Sequence, residues 1–252
     1  MTEQRDLIPG AEPVSVAGGP VGVLVLHGFT GNPGSVRPLA DAMVAAGFTV
    51  EMPLLPGHGT VVEDMVPTRF TDWAAAAEAS YLDLAGRVDA VVVAGLSMGG
   101  TLTCWLAGHH PEIAGIVCIN AAVLPSEPEV LEMVRLMIDG GETISPGIGS
   151  DIADPDVVER AYDGSPLEPA LSLFEAVDEL QERLPAIVCP VLIMTSRQDH
   201  VVNPAASDHL AATVSGPVER VILERSYHVA TLDHDKELIN RSAVDFVTKV
   251  TA

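Results

Sequence analysis

Ala90-Val91-Val92-Val93-Ala94-Gly95-Leu96-Ser97-Met98-Gly99 is the stretch whose reading decides the fold. An apolar, β-branched run leads in, and the helix-forming segment Thr101 to Ala107 leads out. Between them, Gly-x-Ser-x-Gly reads as a sharp strand-to-helix turn, a nucleophile elbow. Glycines at both ends carry no Cβ, so strand and helix can pass closely while the serine occupies strained backbone. Ser97 is therefore the candidate nucleophile.

Working outward, Val21 to Leu26 and Val188 to Met194 are further short apolar runs of the kind that suits strands buried on both faces. Phe48 to Met52, Ile113 to Ile119 and Val218 to Leu223 complete the strand set. Helical spacing fills the intervals near Gly34 to Ala46, Asp72 to Ala85, Met98 to Gly108, Pro204 to Val214 and Asp235 to Val250. Alternating β and α predicts an α/β protein with a mostly parallel, doubly wound sheet. Asn120 to Pro185 breaks this rhythm. It is dense in Pro, Gly and Asp, holds at least two short helical patterns and no convincing strand, and reads as an insertion over one end of the sheet. The domain division is thus a core of 1–119 and 186–252 with a cap of 120–185. Within the cap, the helix Glu129 to Asp139 carries Val130, Leu131, Val134, Met137 and Ile138 on one face, with Met133 and Leu136 widening the apolar arc. Core packing or contact with a greasy substrate would each account for that surplus.

The 252 residues suffice for one domain with an insertion, and 48% hydrophobic content argues against disorder. A net charge of −22 would repel phosphate backbones and anionic surfaces, which disfavours nucleic acid as a partner. No apolar run approaches the roughly 18 to 20 residues of a membrane span. The start, Met1 to Pro13, lacks the apolar centre of a secretory signal, so the expectation is a cytoplasmic protein with no transmembrane segment. Cys104, Cys118 and Cys189 lie in apolar segments and are expected to be buried, reduced thiols. Oligomeric state is not encoded in any of these features.

A serine hydroxyl needs a base within reach and an acid to orient that base. In sheets of this kind the chain order is Ser, then Asp or Glu, then His. Asp199 follows an apolar strand, in Ser196-Arg197-Gln198-Asp199-His200, and His228 follows the last strand, in Ser226-Tyr227-His228. Asp208 and Asp233 are rival acids, but neither directly follows a strand. His27, His58, His109, His110, His200, His209 and His234 are rival bases; turn, helix-end or surface positions suit them better. A tetrahedral intermediate also needs two backbone N–H donors. Met98, after the nucleophile, supplies one; Phe29, in the loop His27-Gly28-Phe29-Thr30-Gly31 after the first long strand, supplies the other.

With His27-Gly28-Phe29-Thr30-Gly31, Gly57-His58-Gly59-Thr60, Gly95-Leu96-Ser97-Met98-Gly99-Gly100 and Ser226-Tyr227-His228-Val229 in that order, the chain resembles α/β-hydrolases of the bacterial monoacylglycerol lipase and small carboxylesterase group. Leu96 departs from the His that many relatives carry before the serine. The resemblance implies a soluble serine esterase with a small-molecule lipid ester substrate, a cap guarding a tunnel to the serine, and no metal or organic cofactor. It implies Ser97, Asp199 and His228 as the triad and Phe29 and Met98 as the oxyanion hole. It also suggests that Asn120 and Glu159 bind glycerol hydroxyls, and that Ile148 narrows the entrance. The resulting expectation is hydrolysis of carboxylic esters with medium or long acyl chains, monoacylglycerols foremost, through an acyl-Ser97 intermediate. A general carboxylesterase, a thioesterase or an acyltransferase would use the same triad, and a ligand receptor could keep the same fold. Dehalogenases and epoxide hydrolases of this fold are disfavoured because they place Asp at the elbow.

Overall fold

The computed structural model describes residues 5–147 and 149–252. In chain order the elements are β1 (Val14–Val16), β2 (Val21–Leu26), α1 (Arg37–Ala45), β3 (Thr49–Met52), α2 (Val62–Met65), α3 (Phe70–Ala85), β4 (Ala90–Leu96) and α4 (Met98–His109). They continue with β5 (Gly115–Ile119), α5 (Pro128–Asp139), β6 (Ile144–Pro146), β7 (Gly164–Pro166), α6 (Leu167–Leu180), β8 (Val191–Ser196), α7 (Ala205–Thr213), β9 (Val218–Leu223) and α8 (Lys236–Val250).

Seven strands form one sheet in the order β1-β3-β2-β4-β5-β8-β9. All its pairings are parallel except β1 on β3. The central strands β2, β4, β5 and β8 are almost wholly buried, as continuous runs of Val, Leu and Ile predict for a sheet covered on both faces. Alternation divides their side chains between two cores. Leu24, Leu26, Val93 and Ile116 pack with Trp73, Leu84 and Leu102 of α3 and α4. Val23, Val25, Val92 and Val117 pack with Leu39 and Met43 of α1 and Phe246 and Val247 of α8. The register sets Leu26 beside Gly95, Leu96 beside Ile119, and Ile119 beside Met194. The strands therefore end together, and their following loops share one crevice, where open α/β sheets bind ligands.

The edge strand β1 was not expected; the three residues Val14–Val16 are too few to show a period. Residues 120–185 contain α5 and α6 as expected, but also the antiparallel ribbon β6–β7, contrary to the reading of no strand there. Its Ser, Gly and Pro content is low in strand propensity, so the pairing comes from context. Met133 and Leu136 of α5 are 55% and 64% exposed and face solvent rather than a core or a cavity, while Val134 is buried. Cys104 and Cys118 are buried free thiols; Cys189 is only half-buried. No helix among the described residues is long and apolar enough to cross a membrane.

Candidate active site

Ser97 sits between β4 and α4 with φ 56° and ψ −120°, a left-handed-side conformation that strains an L residue. Its N–H donates to Ile119 O at 3.0 Å, and its carbonyl accepts from Gly100 and Thr101 at 2.8 and 3.1 Å, so both flanks are fixed. The flanking glycines are obligatory. A Cβ on Gly95 would lie 2.1 Å from Gly99 O, and one on Gly99 would lie 2.1 Å from Leu26 O.

Asp199 lies in the loop after β8, its side chain only 2% exposed. Oδ1 accepts the N–H groups of Val201 and Val202 at 2.9 and 2.8 Å, and Oδ2 lies 2.8 Å from His228 Nδ1. That contact occupies Nδ1 and leaves Nε2 as the free ring nitrogen. The His228 ring lines the same cavity as Ser97, together with Phe29, Thr30, Gly149, Asp151, Glu159, Tyr162, Ser165 and Val201. The cavity measures about 90 Å³. A larger groove of about 610 Å³ runs between α3, α4 and α6 but is lined by none of Ser97, Asp199, His228, Phe29, Met98, Asn120 and Glu159.

The loop carrying His228 is tied down by groups that the sequence reading did not assign. The His228 N–H donates to Asp151 Oδ2 at 3.0 Å, and the Val229 N–H to Asp151 O at 3.0 Å. Asp233, fully buried, accepts from the N–H groups of Ala153, Asp154, Tyr227 and His234. This network excludes Asp233 as a rival orienting acid. Burial alone would raise the Asp151 carboxyl; hydrogen bonds from the His200 ring and from the His228 and His200 N–H groups outweigh it and hold the group below its usual range. No spacing rule marks Asp151, because its partner lies 77 residues away.

Asn120 is placed otherwise than the resemblance suggested. It is 3% exposed, and its amide donates to Ser196 Oγ at 2.9 Å and His228 O at 2.8 Å while accepting from Ser196 N at 2.7 Å. Those internal bonds point it away from the cavity, so it clips β5 and β8 to the His228 loop instead of meeting a glycerol hydroxyl. Glu159, by contrast, does line the cavity. It lies outside any helix, and Ser35 Oγ donates to its Oε1 at 2.5 Å. Burial raises its carboxyl above the ordinary value, partly offset by the Ser35 hydrogen bond and the charge of His228. Ile148 lies outside the described residues.

Phe29 lines the cavity and meets Trp73 edge-on at 5.8 Å; Met98 opens α4, where first-turn N–H groups have no intrahelical acceptor. Among the described residues neither the Phe29 nor the Met98 N–H donates to a protein acceptor. Of the rival bases, His27 and His58 are buried, His200 pairs with Asp151, His110 with Glu78, and His209 with Gln181. Among the described residues no three His, Cys, Asp or Glu side chains converge as metal ligands.

Residues 21–235 match the family model described as serine aminopeptidase, S33. The chain belongs to this α/β-hydrolase family. It is 46% identical over 252 residues to the thermostable monoacylglycerol lipase of Bacillus sp. (strain H-257), covering 99% of both chains. It is 27% identical over 241 residues to a carboxylesterase of Bacillus subtilis (strain 168), covering 95% of this chain and 97% of that one. A solved structure reported for the metagenome-derived lipolytic enzymes LipS and LipT superimposes with a TM-score of 0.92 at 43% identity, over 97% of this chain and 100% of its own.

Proposed function

We propose that the protein is a carboxylic ester hydrolase acting on esters with medium or long acyl chains, monoacylglycerols foremost, with Ser97, His228 and Asp199 as its triad. The observation that carries this is the Asp199–His228 contact of 2.8 Å beside the cavity that Ser97 shares. The family and the 46% identity to a monoacylglycerol lipase support the same reading.

In this mechanism His228 Nε2 takes the Ser97 hydroxyl proton as Oγ bonds to the ester carbonyl carbon. The carbonyl oxygen becomes an oxyanion facing the N–H groups of Phe29 and Met98, at the positive end of α4. Collapse breaks the ester bond to the alcohol oxygen, which receives the proton from His228. A water molecule then gives its proton to His228 and attacks the acyl-Ser97 carbonyl, releasing the acid and restoring the hydroxyl. Glu159 accepts a hydrogen bond from a free glycerol hydroxyl. Residues 120–185 serve as the cap, supplying Gly149, Asp151, Glu159, Tyr162 and Ser165 to the cavity wall. At about 90 Å³ the cavity is well below the roughly 300 to 1,000 Å³ of ligand-sized pockets, so a long acyl chain requires the cap to shift outward.

Intact-mass detection of fluorophosphonate labelling tests the nucleophile: one adduct on the wild type and none on Ser97→Ala is expected, and an adduct on the variant would reassign it. A series of p-nitrophenyl esters tests acyl preference. Activity should rise with chain length before falling, since a buried methylene is worth about 0.8 kcal/mol at best. A steady decline from acetyl onward would contradict the long-chain reading.

A further inference from the structure

We propose that His27 is a positioning residue for this reaction, holding the Gly28–Phe29 peptide so that its N–H is turned toward the oxyanion. His27 follows β2 and is completely buried. The Leu55 N–H donates to His27 Nε2 at 3.1 Å. A peptide N–H can only donate, so Nε2 carries no proton and a neutral ring must carry its proton on Nδ1. Nδ1 lies 3.0 Å from Gly28 O, to which it donates.

That acceptor is what connects the ring to catalysis. Gly28 O and the Phe29 N–H belong to one planar trans peptide and point in opposite directions, so fixing the carbonyl fixes the N–H. Gly28 is also the residue packed against the nucleophile, since a Cβ there would lie 3.3 Å from Ser97 Cβ and 3.8 Å from its Oγ. The close approach favours glycine, and glycine leaves this peptide with the least intrinsic resistance to rotation. His27 supplies the missing restraint. On the far side, Thr30 Oγ1 donates to Phe29 O at 2.6 Å and clamps the next peptide. Burial, reinforced by His58 at a ring separation of 4.9 Å, lowers the His27 pKa to about 3 and keeps the ring neutral, so the tautomer is preserved. An oxyanion donor is effective only if it is already oriented when charge develops.

Two near-isosteric variants separate this role from bulk support of the fold. His27→Asn keeps an amide donor near the Nδ1 position and loses the acceptor for Leu55; His27→Gln keeps a group near Nε2 and loses the donor to Gly28. On a p-nitrophenyl ester, His27→Gln should lose kcat on the order of 10²-fold or more, the usual cost of one oxyanion donor, with KM within about threefold. His27→Asn should stay within about tenfold of wild type. Equal kcat for the two variants overturns the proposal. Because either could fail to fold, ¹⁵N-histidine NMR on the wild type supplies a second reading. A protonated Nδ1 is expected at His27, and a protonated Nε2 overturns the assignment. The inference rests on the Ser97 reading, yet the two fail separately. Inactive Ser97→Ala with fully active His27→Gln removes only the role of His27, whereas fully active Ser97→Ala removes the underlying mechanism.

Discussion

Asp199 Oδ2 lies 2.8 Å from His228 Nδ1, while Asp199 Oδ1 is held by two backbone N–H groups of its own loop. In the proposed triad the acid is thus anchored independently of the base it would orient. Asp199→Asn should keep the packing but permit the wrong imidazole tautomer, lowering kcat on the order of 10⁴-fold with little change in KM. Steady-state kinetics on a p-nitrophenyl ester check this, and a loss smaller than about tenfold would remove Asp199 from the triad.

Glu159 presents a half-buried carboxyl to the cavity. A hydrogen bond to a charged group contributes about 1.5 to 3 kcal/mol, so Glu159→Ala should cost roughly tenfold or more in kcat/KM on a monoacylglycerol. A p-nitrophenyl ester of the same acyl chain offers no glycerol hydroxyl and should barely respond. Equal losses on both substrates would assign Glu159 to stability rather than to recognition.

Asn120 should behave in the opposite way. Truncation to Ala leaves Ser196 N and His228 O without their buried partners, at a cost of about 1 to 3 kcal/mol each. Urea unfolding should show the destabilisation, while the ratio of monoacylglycerol to p-nitrophenyl ester activity stays at the wild-type value. A selective loss on monoacylglycerol would restore Asn120 to the substrate site.

Acid should destabilise the fold through His27 and His58. Burial lowers them from 6.5 to about 3 and about 4, so the folded state resists protonation. Above pH 6.5 both states are neutral and the full stability is present. As pH falls below 6.5 the unfolded chain binds protons that the folded chain refuses, and each histidine removes up to about 1.4 kcal/mol per pH unit until its folded pKa is reached. His58→Asn keeps a donor for Pro56 O, which His58 Nδ1 meets at 2.9 Å. Its stability loss between pH 7 and pH 5 should be smaller than that of wild type by on the order of 2 kcal/mol. Parallel losses would contradict this.

The triad candidates were legible because each follows a strand whose apolar run is visible on its own, and strand ends converge in an open α/β sheet. β9 and β2 kept their expected limits, and α5 differed from its expected range by one residue at its start. What stayed hidden depends on contacts across distant segments. Asp151 meets the His228 N–H from 77 residues away, and Ser35 meets Glu159 across 124. Asn120 ended a strand on the correct side, but the direction of its amide was decided by Ser196 and His228 O, which no local pattern could show. The apolar arc of α5 misled because Met133 and Leu136 are simply exposed.

Hydrolysis of monoacylglycerols by Ser97 is tested by the initial rate of fatty acid release from matched monoacyl, diacyl and triacyl glycerols by the wild type and by Ser97→Ala. The wild type should turn over the monoacyl ester at least about tenfold faster than the other two, a discrimination of about 1.4 kcal/mol. Ser97→Ala should lose on the order of 10⁴-fold or more while melting at the same temperature. Comparable triacylglycerol hydrolysis would overturn the monoacylglycerol assignment, and a variant keeping more than about a tenth of the wild-type rate would remove Ser97 as the nucleophile.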